Sequence, residues 1–359
     1  MSKFIQLHLL TSYPPSNLNR DDLGKPKSAV IGGAPRLRIS SQSLKRAWRT
    51  SELFSEAMAG HIGTRTKRMG GTAYDLMVEK GLDPKVAKEA AQKIAAVFGK
   101  LEAEKDKDPH KATALSQLAH FSPAEEEGIR ELSLKVAASG TLPEPSDLEL
   151  LRKDHKAVDV AMFGRMFAEQ PGFNMEAATQ VAHAVTVHQV KIEDDFFTAV
   201  DDLNRGDEDA GAAHLGEVEF AAGIFYLYLC INETLLVENL GGDKALAKKA
   251  VQALAEAVTQ VSPTGKINSF AHHSLALYVL AEVGTCQPRN LSLAYLSPAE
   301  PKLDKAIQAL EETKAKLDQA YNQKFLGQYT FNPLNPADPK AGPKGNLKGL
   351  TDFLGEDHA

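Results

Sequence analysis

Strand-like alternation of apolar and polar residues flanks a long block that has helical spacing instead. KFIQLHLL, residues 3 to 10, puts Ile5, Leu7 and Leu9 on one face, the pattern of a half-buried strand. EFAAGIFYLYLCI (219 to 231) and the run SLALYVLAEV have the same character, and VDVAMFGRMF (158 to 167) and VAHAVTVHQV (181 to 190) also alternate and are expected as strands. Residues 85 to 156, by contrast, are rich in Ala, Lys, Glu and Leu at helical spacing, with breaks at DKDPHK and SGTLPEPSD. Further helices are expected at about Ser41 to Ala57, Lys244 to Val261 and Leu303 to Ala320, followed by a Pro-, Gly- and Asn-rich tail. Strands that begin, pause for a helical block and resume predict an α+β sheet domain with expanded loops.

With 359 residues and 43% apolar content, the chain can bury one large core or two. No run approaches the roughly 18 to 20 apolar residues of a membrane span, and the N-terminus leads straight into the first strand, so no membrane association is expected. Two cysteines, Cys230 and Cys286, lack zinc or disulfide spacing, and a reducing cytoplasm is the default compartment.

The formal net charge is −6, which argues against a uniformly basic nucleic-acid binder, but the charge is unevenly distributed. Lys25 to Ser51 holds seven Lys or Arg and no acid, whereas Glu193 to Glu219 holds ten acids and one Arg. Within the first segment RLRISSQSLKRAWR, Arg36 to Arg49, combines five cations with an expected helix N-terminus, Ser40 or Ser41 serving as N-cap. Backbone N–H groups, serine hydroxyls and Lys45, Arg46 and Arg49 one to two turns in would make a phosphate cradle; the alternative is a solvated basic helix face. Arg20, Lys25 and Lys27 precede it in the loop TSYPPSNLNRDDLGKPKSAVIGGAP, whose length suggests a role in binding. The nucleotide-cradle patterns GxGxxG and GxxxxGK[ST] are absent. Asp21 and Asp22 are the one adjacent carboxylate pair near the basic region, suited either to acid–base work or, more ordinarily, to capping a turn. Phe196, Phe197, Met166 and Leu215 lie near turns or insertion ends, as core or as wedges against bases. No metal site or cofactor is expected, because the histidines form no ligand motif.

The runs LNRDD, IGG and RxRISSQSLKRAxR resemble the CasC family, the backbone subunit of the type I-E CRISPR Cascade surveillance complex. The resemblance continues in order through DVAxxGRM, AxAHAxTxHQV, DxFTAVDDL, AHLG, FxxGxFYxY, ENLGG and PTGKxNSFA. It implies a modified RRM-like (ferredoxin-like) palm with a helical fingers insertion and a thumb insertion. The palm would take residues 1–59, 157–190 and 219–300, the fingers 60–156, the thumb 191–218, and a C-terminal helix and tail 301–359. It implies no catalysis. Copies would stack head to tail along a CRISPR guide RNA, each thumb interrupting base stacking, so that the guide pairs with target DNA while other Cascade subunits complete the complex. The guide-binding residues it implies are Asn19, Arg20, Lys27, Ser40, Gln42, Lys45, Arg46, Arg49, Arg165, Met166, Lys266 and Asn268. The thumb wedge would be Phe197, Thr198, Val200 and Leu215. The alternative is a guided endoribonuclease of the type III backbone kind, cutting with Asp21 or Asp22. An acidic thumb would meet the basic surface of the next subunit, Asp201 and Asp202 included.

Overall fold

The computed structural model describes residues 2–199, 214–335 and 344–358; the side chains of His214 and Leu215 are outside that description. From the N-terminus come β1 (Phe4–Ser16), β2 (Ser28–Ile31), β3 (Ala34–Ile39), α1 (Ser41–Arg49) and α2 (Glu52–Ala57). Next are β4 (Thr64–Thr66), α3 (Met69–Glu79), α4 (Pro84–Ala96), α5 (Pro109–Ala112), β5 (Ala119–Phe121), α6 (Pro123–Ser139) and α7 (Val158–Phe163). β6 (Thr179–Val181), β7 (Ala184–Thr186), β8 (Glu193–Ala199), β9 (His214–Asn232), α8 (Glu233–Asn239) and α9 (Lys244–Gln260) follow. The last are α10 (Ile267–Phe270), β10 (Ala276–Gly284), α11 (Leu303–Ala320), β11 (Gly327–Phe331) and α12 (Leu347–Gly355). Among the described residues no helix is long and apolar enough to cross a membrane.

The chain forms two compact units: Met1–Phe54 with Val181–Cys230 and Val251–Ala359, and Ser55–Gln180 with Ile231–Ala250. The first is built on a sheet of order β11-β10-β1-β9-β7-β3-β2, with β8 paired to the long strand β9. β1 runs antiparallel to β10 from Phe4 opposite Gly284 to Leu10 opposite Tyr278. Every residue from Ile5 to Leu10 is buried, so this central strand is covered on both faces despite its alternating pattern.

The polar residues of β1 enter a buried network. The Tyr226 hydroxyl accepts from the Leu291 amide (3.0 Å), which leaves its proton for His8 Nδ1 (2.9 Å). The neutral imidazole then carries its proton on Nε2, 3.3 Å from a Glu282 oxygen. Arg289 binds Glu282 at 2.6 Å and Asp318 at 2.6 Å. Burial pushes the Glu282 carboxyl up, but His8 and Arg289 outweigh it and hold the group at about 2. Burial likewise keeps His8 below its ordinary value, against the pull of Glu282. Both groups favour the folded state only when they are unprotonated. As the pH falls, stability should therefore drop first below about 6.5, where the unfolded chain takes up the proton that His8 refuses. A second loss, on the order of 2 kcal/mol, should follow between the ordinary carboxylate range and the depressed value of Glu282. Unfolding midpoints measured against pH check this: Glu282→Gln should flatten the lower stage and enlarge the upper one, because the pull of Glu282 on His8 is lost.

The second unit is mainly helical, with α3, α4 and α6 contributing Met77, Ala90, Ile94, Ile129 and Leu132 to one core beside Phe98, Phe121 and Phe167. α6 starts from a capping box, in which the Ser122 hydroxyl accepts from the Glu125 amide and the Glu125 carboxylate accepts from the Ser122 amide (2.9 Å), with Pro123 in the first turn. This unit runs past the expected 60–156 block to Gln180 and takes in Ile231–Ala250.

Three expectations are corrected. Residues 158–167 do not form a strand: Val158–Phe163 is helix α7, and all five residues from Val158 to Met162 are buried, Asp159 included. Alternation there did not report an exposed face, because Asp159 is an interior acceptor for the Gly63 amide (2.9 Å) and lies 2.8 Å from His120. The helix expected from Ser41 to Ala57 breaks after Arg49, where the Ser51 hydroxyl accepts from the Phe54 amide (3.2 Å) and starts α2. The tail contains β11 and α12, which its Pro, Gly and Asn content concealed.

Candidate nucleic-acid interface

Three sequence motifs meet at one open cleft in the first unit. Leu18, Asn19, Arg20, Asp21, Asp22 and Gly24 of the early loop face Ser43 of α1 and Thr264–Gly265 of the PTGK turn around about 440 Å³. Gly265 lies so close to the Leu18 carbonyl that any Cβ there would collide with it. Asn19 joins the loop to the helix: its Oδ1 accepts from the Ser40 amide (2.9 Å) and its carbonyl from the Lys27 amide (2.8 Å).

Ser40 is the N-cap of α1, its buried hydroxyl accepting from the Ser43 amide (3.4 Å). The Ser41 amide donates to His183 Nδ1 at 3.1 Å. Two of the helix's N-terminal donors are therefore already partnered, so the expected cradle of free amides is corrected. What α1 offers an anion is side chains: Gln42 and Arg46 are exposed, Lys45 and Arg49 partly so. Arg20 is exposed and Lys27 partly exposed, and no carboxylate among the described residues pairs with Arg20, Lys27 or Arg46.

Arg36 and Lys25 of the basic segment have structural partners. Arg36 is fully buried and donates to the Thr186 carbonyl (2.9 Å) and the Tyr295 carbonyl (2.9 Å). Lys25 pairs with Glu219 at the base of the β8–β9 hairpin. There Asp194 stands directly opposite Glu219, a like-charge pair that Lys25 offsets. Asn17, fully buried, donates to the Glu219 and Gly24 carbonyls (3.0 Å each), and Phe220 approaches Phe270 of α10 at 6.3 Å between ring centroids. The same loops that line the cleft thus brace the hairpin.

Along the hairpin, Phe196 is 67% and Phe197 42% exposed, with the Phe197 ring packed over Gly216. Thr198 is exposed and opposite Leu215 in register. Val200, Asp201, Asp202 and the Leu215 side chain lie outside the described residues. Lys266, partly exposed, has a left-handed backbone (φ 55°) before α10, and Asn268 is exposed.

Arg165 and Met166 belong to the second unit, and they differ sharply. Met166 is 74% exposed, at the mouth of a small pocket lined by Phe98, Leu115 and Leu118. Arg165 is buried and bound to buried Glu125 at 2.7 Å, with further bonds to the His120 (3.3 Å) and Arg152 (3.0 Å) carbonyls. Its expected role as a guide contact is corrected accordingly: its guanidinium is committed internally, and it anchors the turn that presents Met166. Asp21 is also committed, its Oδ1 accepting from the Leu23 and Lys25 amides (2.9 Å each). Among the described residues no cluster of three His, Cys, Asp or Glu is arranged to hold a metal.

Arg38 and His183, which the sequence did not single out as guide contacts, lie together beside the head of α1. Arg38 is partly exposed and its Nη1 lies 3.4 Å from His183 Nδ1. Strand parity gives no signal for this: Arg36 and Arg38 share a face, yet one is buried and the other partly exposed.

Comparison with known proteins gives a consistent result. The family model of CT1975-like protein matches residues 5–347. A chain of a solved CRISPR RNA-guided surveillance complex, pre-nicking, is similar with TM-score 0.84 and 31% identity over 98% of both chains. A chain of a second CRISPR RNA-guided surveillance complex is similar with TM-score 0.71 and 28% identity, over 98% of this chain and 99% of that one. No curated protein matches. Matched along nearly its whole length by both sequence model and fold, this chain belongs to the CT1975-like family of Cas proteins.

Proposed function

We propose that the protein is a non-catalytic backbone subunit of a type I-E CRISPR RNA-guided surveillance complex, binding the guide through its sugar–phosphate backbone in the cytoplasm. The observation that carries this reading is the cleft at which the early loop, α1 and the PTGK turn converge, lined by Arg20, together with the accessible Gln42, Lys45 and Arg46 elsewhere on α1. Cations on a cleft without a stacking aromatic hold phosphates and leave bases free to pair. The succession β1, α1, β7, β9, α9, β10 with spatial order β10-β1-β9-β7 supports an RRM-like palm, since fourth-first-third-second is the ferredoxin-like order. On this reading residues 60–156 act as fingers and 191–218 as a thumb whose exposed Phe196 and Phe197 wedge into the guide. Copies stack head to tail, other subunits join them, and target DNA is met through the guide. The engagement of Asp21 in a turn supports binding over cleavage by Asp21 or Asp22.

The test is purification of the chain from cells that transcribe a CRISPR array. A bound RNA of discrete length, and complementary RNA left intact with magnesium, is the expected outcome. RNA of random length, or periodic cutting abolished by Asp21→Ala or Asp22→Ala, would overturn it.

A further inference from the structure

The histidine at the head of α1 has a chemistry that its neighbours dictate. Because the Ser41 amide donates to His183 Nδ1 (3.1 Å), that nitrogen must keep a lone pair. The neutral ring then carries its proton on Nε2, and the side chain is solvent-exposed. Arg38 Nη1 sits 3.4 Å from the same Nδ1. The Arg38 amide bonds the Lys27 carbonyl (2.8 Å), which continues the β2–β3 register and sets Lys27 directly across from Arg38. Partial burial first, then Arg38 and Lys27, hold the imidazole below its ordinary value against a contact with the Ile39 backbone. Lys27, Arg38 and His183 therefore form a row that ends at the N-terminus of α1, two fixed cations beside one neutral donor.

We propose that this row is an additional backbone-binding strip, with Arg38 as a cationic phosphate contact and His183 as an uncharged one that donates from Nε2 to a phosphate oxygen. The proposal rests on the reading of this face as an RNA-backbone site and adds to it two residues and a division of labour. A neutral donor strengthens binding without displacing a counterion, whereas a cation does both.

Guide RNA affinity of the full-length protein, titrated over a range of salt, separates the two contributions. Arg38→Gln should weaken binding and lower the salt slope by about 0.7. His183→Ala should weaken it about 3- to 10-fold, equally at every salt, with the slope unchanged. Nitrogen-15 spectra of the histidine-labelled protein provide a readout that a purely structural role would not move: adding guide should shift the His183 Nε2 resonance while Nδ1 stays in place. If His183 merely holds α1, Nε2 does not respond to RNA, and His183→Ala lowers the slope by disturbing the helix that carries Arg46; either result overturns the proposal. Wild-type binding with unchanged affinity in His183→Ala also overturns it and leaves the backbone-binding reading standing. Failure of the wild type to bind guide sinks both.

Discussion

Arg165→Ala should destabilise the helical unit by about 3 to 5 kcal/mol, the cost of leaving one member of a buried ion pair alone. Its partner Glu125 is fully buried and already accepts from the Ser122 and Arg152 amides (2.9 Å each). Removing the guanidinium therefore leaves a carboxylate with two amide donors and no countercharge. The His120, Arg152 and Phe173 carbonyls that Arg165 also binds lose a donor at the same time. Chemical denaturation followed by circular dichroism measures the loss. Adding Glu125→Gln to Arg165→Met should recover part of it, because the unpaired charge is gone and the amide oxygen keeps one of the two amide donors, which in Glu125 meet different carboxylate oxygens. A loss under about 1 kcal/mol for Arg165→Ala would mean that water reaches Glu125 and screens it. The functional consequence is local. Arg165 and Met175 exchange both backbone hydrogen bonds (3.0 and 2.9 Å), so loosening this anchor frees the exposed Met166 next to it.

Long apolar runs and long amphipathic helices were legible in the sequence. β9, β10, α9 and α11 lie where their patterns place them, and the Ser40 cap of α1 follows from residue type. α7 was not legible, because a segment enclosed on all sides has no polar face to set its period. The site divides along the same line. Gln42 and Arg46 are exposed on α1, where helical spacing puts them. The fates of Arg36, Lys25 and Arg165 depend on the Tyr295 carbonyl, Glu219 and Glu125, partners 259, 194 and 40 positions away in the chain. Charge counting treats a buried clamp, a hairpin brace and a phosphate contact as one class, and only tertiary partners separate them. His183 was hidden for a related reason: its importance lies in which nitrogen is occupied, a property of the Ser41 amide rather than of the residue.

That separation makes the largest binding prediction specific. Replacing Arg20, Lys27 and Arg46 together with Gln should lower the slope of guide affinity against salt by about 2, at about 0.7 per phosphate contact. Affinity should then fall roughly 100-fold near 0.1 M salt and converge with the wild type near 1 M, where counterion release no longer contributes. The three side chains pair with no carboxylate among the described residues, and surface changes of this kind leave stability within about 0.5 kcal/mol, so the thermal midpoint should not move. Arg36→Gln, which removes one cation of the same segment, is the control. It should lower the midpoint, because Arg36 is buried against two carbonyls, and leave the slope intact, because its guanidinium does not reach solvent. An unchanged slope in the triple variant would remove the phosphate role from the cleft, and a reduced slope in Arg36→Gln would mean that the clamp opens to admit RNA. The expected pair of results sorts the basic segment into cations that meet the guide and one that holds β3 in place to present them.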